Sequence, residues 1–118
     1  MMTFQKFSAL NHARCRDGFK HNLSDWSASD WMTATMGELG EAANVVKKLN
    51  RHRDGIAGNK EAEDELREHL ARELADTFIY LDLMCQALGI DLESAVTRTF
   101  DAKSRKIGYP HLIEKEAA

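Results

Sequence analysis

Between Met32 and Leu49 the apolar side chains return with the period of an α-helix. Met32, Met36, Leu39, Ala43 and Val46 make one stripe, and Trp31, Ala34, Ala42, Val45 and Leu49 widen it into an arc. Thr33, Gly37, Gly40, Asn44, Lys47 and Lys48 fill the polar side. Glu38 falls inside the apolar arc and Glu41 at its edge. A carboxylate so placed is desolvated unless something positive meets it, and an isolated buried charge is too costly to keep. The pair therefore calls for a cation.

The same periodicity places three more helices around this one. The first is expected over Thr3 to Asp17, with Phe4, Phe7 and Leu10 on one side and Gly18 as its stop. Residues 19–27 read as an ordered connection, because Leu23 and Trp26 give it something to bury. Ser29 or Asp30 is the expected N-cap of the second helix, which runs to about Arg51. Arg53 to Lys60, with two glycines and no periodicity, is a loop. The third helix runs from Glu61 to Leu88. Its first half is charged, with Leu66 and Leu70 as anchors, and its second half is apolar almost all the way round. A helix apolar on every side lies in the middle of something, which in so short a chain implies neighbours from another subunit. Gly89 ends it, Asp91 caps a fourth helix, and Leu92, Ala95, Val96 and Phe100 form that helix's buried stripe. The expected fold is all-α: a four-helix bundle, one domain over residues 1–118, completed by oligomerisation.

Composition narrows the function classes. The 118 residues carry 16 basic and 19 acidic side chains, a net charge of −3, which argues against a partner that is a nucleic-acid polymer. The longest apolar segment, Leu74 to Leu88, is too short for a membrane span and contains Asp76 and Asp82. The N-terminus lacks the apolar run of a secretory signal. Cys15 and Cys85 have no metal-type spacing and read as free thiols, so a cytoplasmic protein is expected.

The third helix repeats the oddity of the second. Glu73 and Asp76 are three residues apart and project from one face, with Thr77, Tyr80 and Leu83 as neighbours. Two antiparallel helices, each with a carboxylate pair one turn apart, would bring four hard oxygen ligands to a common point. That composition selects Mg²⁺, with Mn²⁺ as the substitute, over zinc or copper. It also argues against a di-iron bundle, whose Glu-x-x-His pairs are absent. Such a site engages phosphate, because Mg²⁺ keeps exchangeable positions for substrate oxygens. Lys48, Lys103, Arg105 and Lys106 are the cationic candidates for that phosphate. The glycines of the 53–60 loop have neither the spacing nor the preceding strand of a phosphate-binding loop.

Other residues admit two readings each. Trp26 and Trp31 stack a base or fill the core, and Tyr80 packs or touches substrate. Asp82, inside the most apolar run, shares a narrow polar strip with Gln86 or pairs with an arginine across an interface. The five histidines share no ligand spacing and read as surface or cap residues.

Taken in order, Glu38-Leu39-Gly40-Glu41 and Glu73-Leu74-Ala75-Asp76, separated by 31 residues, resemble the signature of the MazG-like, all-α nucleoside triphosphate pyrophosphohydrolases. The likeness extends through Thr77-Phe78-Ile79-Tyr80-Leu81, the joint Leu88-Gly89-Ile90-Asp91-Leu92, and the tail from Ser104 to Pro110. The resemblance implies Mg²⁺-dependent cleavage of a (deoxy)nucleoside triphosphate between the α- and β-phosphates. It implies Glu38, Glu41, Glu73 and Asp76 as metal ligands, Tyr80 and the basic tail against the nucleotide, and a dimer or tetramer. We expect Glu41, at the arc's edge where water reaches, to act as the catalytic helper that deprotonates the attacking water, and Trp31 to belong to the substrate contacts. Where many members have a further acid this chain has Gly37, and where a lysine and an asparagine are common it has Thr99 and Asp101. Two rival functions use the same residues: a non-catalytic helical interaction domain held together by metal, and hydrolysis of guanosine tetraphosphate-type alarmones.

Overall fold

The structure, a computed structural model, describes residues 1–116. Among them there is no strand, and the chain runs as α1 (Phe4–Ala13), a π-helical turn (Arg14–Gly18), a 3₁₀ turn (Leu23–Asp25), α2 (Ala28–Asp54), α3 (Glu63–Ala87), α4 (Leu92–Ile107) and α5 (Ile113–Glu116). The expected all-α fold is observed.

Local chemistry sets the helix ends. α2 starts earlier than expected because Ser27, not Ser29 or Asp30, is its cap. The Ser27 hydroxyl accepts from the Asp30 amide at 3.2 Å, and the Asp30 carboxylate accepts from the Ser27 amide at 2.9 Å. Asp30 is thus the reciprocal partner of a capping box. At the other end Gly55 takes a left-handed φ of 69°, and the Ile56 amide reaches back to the Arg51 carbonyl at 2.9 Å. That closing turn carries α2 three residues past Arg51. Asp91 caps α4 as expected, its carboxylate accepting from the Ser94 amide at 3.1 Å.

α2 and α3 pack against each other as a long hairpin that carries the core. α2 contributes Trp31, Thr35, Ala42 and Val45, while α3 contributes Leu66, Leu83, Met84 and Cys85. α1 lies on α3 through a polar clip. The Ser8 hydroxyl, the Asn11 amide and the Gln86 amide all donate to the buried Asp82 carboxylate, at 2.9, 3.0 and 3.0 Å. Of the two readings open for Asp82, the polar strip with Gln86 is the one observed. Beside the clip, Phe7 stacks on Phe78 with ring centroids 5.5 Å apart, and Phe4 meets the same ring at 6.2 Å.

Two apolar stripes have no cover among the described residues. Trp31, Thr35, Ala42 and Val45 turn inward, so the stripe through Met32, Met36, Leu39 and Val46 points out and stays 40–55 % exposed. On α4 the expected burial is incomplete: Val96 and Phe100 are half exposed, and the helix makes its main contacts with α5. The radius of gyration, 17.9 Å, reflects this open arrangement. A compact chain of this length would measure about 13–14 Å. Asp101, one of the three positions at which the chain differs from the pattern it resembles, has a structural partner. Buried on α4, it accepts from the Ile113 and Glu114 amides at 2.8 and 3.2 Å and so fixes the start of α5. No helix among the described residues is long and apolar enough to cross a membrane.

Candidate functional site

The inner faces of α2 and α3 bring the acidic residues together. Glu38, Glu73 and Asp76 each present a carboxylate oxygen, and these atoms all lie within 4.8 Å of one another. Glu38 and Glu73 are partly buried, while Asp76 opens to solvent. Glu41, the fourth acid of the pattern, lies outside this trio on the exposed rim, close enough to Glu73 to feel its charge.

Crowding shows in the electrostatics. Burial pushes the Glu38 carboxyl above its usual range, and repulsion from Glu41, Asp76 and Glu73 pushes it further. Glu41 is raised chiefly by the closeness of the Glu73 carboxyl, which favours a proton held between the two, then by repulsion from Glu73 and by partial desolvation. The nearby His69 partly offsets the rise of Glu41. Its Nε2 lies 3.0 Å from Glu73 Oε1, while Glu73 Oε2 is buried without a hydrogen-bond partner. Three converging carboxylates with an unpartnered buried oxygen are a costly arrangement alone. They fit a hard divalent cation, which would satisfy the free oxygen and cancel the repulsion.

A cavity of about 460 Å³ opens beside the acids. Glu38 and Asp76 line one part of it, and Phe19, His21, Trp26, Trp31 and Tyr80 line another. The wall is built by the segment between α1 and α2. The π-helical turn ends α1, and the His21 amide donates to the Cys15 carbonyl at 3.0 Å, which folds Phe19 and His21 back toward α2. Trp31 is fully buried, its Nε1 donating to the Leu23 carbonyl at 3.1 Å. Trp26, more exposed, meets Trp31 edge-on at 4.8 Å and His21 at 4.7 Å. His21 Nε2 is a second buried polar atom without a partner.

The basic candidates are not gathered at this point within one chain. Lys48 Nζ is held by Glu61 at 3.0 Å, and Arg105 lies 3.9 Å from Glu114. Lys103 and Lys106 are exposed on α4. Sequence reasoning missed His69, although its spacing of four residues from Glu73 on one helix was a readable signal. It also missed Phe19 and His21, for which no periodicity in an irregular segment gave a cue.

Neither a curated relative nor a solved structure matches the chain. The family profile of the MazG nucleotide pyrophosphohydrolase domain matches residues 27–107, from the cap of α2 to the end of α4. That segment holds all four acids, covers well over half of the sequence and falls on an all-helical fold, so the chain belongs to the MazG family.

Proposed function

We propose that this chain is a Mg²⁺-dependent nucleoside triphosphate pyrophosphohydrolase, with Mn²⁺ as an alternative ion. It cleaves (d)NTPs between the α- and β-phosphates to a monophosphate and pyrophosphate, as a cytoplasmic sanitiser of the nucleotide pool. One observation carries the reading: Glu38 and Asp76 belong both to the acid cluster and to the wall of the aromatic cavity. A base held among the rings has its phosphates directed toward carboxylates that suit a divalent cation.

Glu38, Glu73 and Asp76 would hold the cation, with Glu41 completing the set from the rim. Bound there, Mg²⁺ supplies charge neutralisation for the polyphosphate and eases the ionisation of water. The chain's own groups do the rest. Trp26 and Tyr80 pack against the base and sugar and keep bulk water out, while Trp31, expected among the substrate contacts, is buried behind them and supports the wall. A carboxylate oxygen of Glu41 accepts the proton of the water that attacks the α-phosphorus, as the bond to the departing pyrophosphate breaks. The place of Glu41 on the exposed rim beside the trio suits that role, because a general base must lie within reach of the water it deprotonates.

Pyrophosphate departure needs cations, and we assign these to Lys48, Lys103, Arg105 and Lys106, with a second copy of the chain bringing the α4 residues into place. Lys103 follows Leu92, Val96 and Thr99 at helical spacing, so it continues the uncovered apolar stripe of α4. That stripe, the outward stripe of α2 and the open shape of the single chain all support self-association.

The test is to incubate the protein with each common dNTP and NTP and Mg²⁺, following products by phosphorus NMR. Monophosphate and pyrophosphate in equal amounts are expected. Orthophosphate as the sole product would overturn the reaction. No turnover, with a melting temperature lowered by chelation and unmoved by nucleotide, would favour the metal-stabilised interaction domain instead.

A further inference from the structure

His69 stands one turn before Glu73 on α3 and shares no ligand spacing with another histidine. Its Nε2 is 3.0 Å from Glu73 Oε1. An ordinary pair of this spacing on a helix surface is exposed at both ends and contributes little. This one is different. The Glu73 side chain is 13 % exposed and its other oxygen, Oε2, is buried without a partner, while its carboxylate is one of the three that converge within 4.8 Å. One oxygen is tied and the other is free, on a carboxylate that converges with those of Glu38 and Asp76.

We propose that His69 is a positioning residue of the cation site: by donating from Nε2 to Oε1 it holds Glu73 in the rotamer that leaves Oε2 free for the ion. The inference rests on the metal-site reading above. A glutamate has three side-chain torsions to order, and the repulsion of Glu38, Glu41 and Asp76 favours rotamers that swing Glu73 away. A fixed donor on the same helix opposes that swing before any ion arrives. Hydrogen-bonded partners of this kind orient the groups that touch a metal, and their removal typically weakens metal binding by about 10- to 100-fold.

The probe is Mn²⁺ alone, titrated into the parent, His69→Ala, His69→Gln and Arg67→Ala, with free Mn²⁺ read by electron paramagnetic resonance. Melting curves without metal check that each variant is folded. Gln carries an N–H near the place of His Nε2, whereas Arg67 forms an exposed pair with Glu63 of the same spacing, 4.0 Å apart, and serves as the control. His69→Ala should weaken Mn²⁺ binding about 10- to 100-fold, His69→Gln should recover most of the loss, and Arg67→Ala should change nothing. Parent-like affinity in His69→Ala overturns the inference. Equal weakness in His69→Gln and His69→Ala overturns it as well, since the donor would then not be what matters. A parent that binds no Mn²⁺ removes the metal reading itself, and the inference falls with it.

Discussion

Glu38 of α2 and Asp76 of α3 come from opposite arms of the helical hairpin, yet their carboxylate oxygens lie within 4.8 Å of each other and both side chains line the aromatic cavity. Like charges at that range repel, and the cavity wall removes part of the water that would screen them. The fold therefore holds an arrangement that is unfavourable alone and favourable around a cation.

Glu38→Gln and Asp76→Asn should have opposite effects on activity and on metal-free stability. Each removes a ligand oxygen's charge and should lower pyrophosphohydrolase turnover by at least about 100-fold. Each also relieves repulsion, so the melting temperature in chelator should rise. Paired turnover assays and circular dichroism melts check both signs.

The raised Glu38 and Glu41 carboxyls give the metal-free protein a specific pH response. Between the ordinary carboxylate range and their raised folded values, the folded state holds more protons than the unfolded one. These two groups thus make stability fall as pH rises through that window. The lowered Asp17, Asp30, Asp54 and Glu61 act in the opposite direction at lower pH, so the contribution is read as the difference between the parent and Glu38→Gln. In chelator that difference should widen from pH 4 toward pH 7, and saturating Mg²⁺ should remove it.

Trp26 is the better probe of the aromatic cavity. Trp31 is fully buried and donates to a backbone carbonyl, so replacing it by alanine should cost about 3–5 kcal/mol of stability and confound any binding effect. Trp26 is more exposed and borders the same space. Trp26→Ala should raise KM for a nucleotide by about 5- to 100-fold, the size of a lost base–aromatic stack, with a smaller change in kcat. Steady-state kinetics separate the two.

Asp82 should matter for α1 and not for the chemistry. Asp82→Ala leaves donors from Ser8, Asn11 and Gln86 without their acceptor, at a cost of about 2 kcal/mol or more. Denaturant titration should register the loss, and hydrogen exchange should rise first in residues 4–13.

Phe100→Glu and Met36→Glu place a charge on the uncovered stripes of α4 and α2. If a second copy covers those stripes, sedimentation should show the parent as an oligomer and both variants shifted toward monomer, with turnover reduced along with assembly.

The amino-acid sequence by itself determined the helical class, the caps at Asp91 and Gly89, and the acid pairs at helical spacing, because these depend on neighbours three or four residues away. It also displayed Asp82 beside Gln86, although not the donors from α1. Only the tertiary structure decided which face of α2 turns inward. An apolar arc that wide is equally well buried along either edge, and packing against α3 chose Trp31, Thr35, Ala42 and Val45. The same packing set Glu38 against Glu73 and Asp76 while leaving Glu41 at the rim. It also folded Phe19 and His21, from a segment without periodicity, into the cavity wall. Local chemistry writes a helix and its caps; which side chains meet across the hairpin is a matter of contacts distant in sequence, and those exist only once the chain has folded.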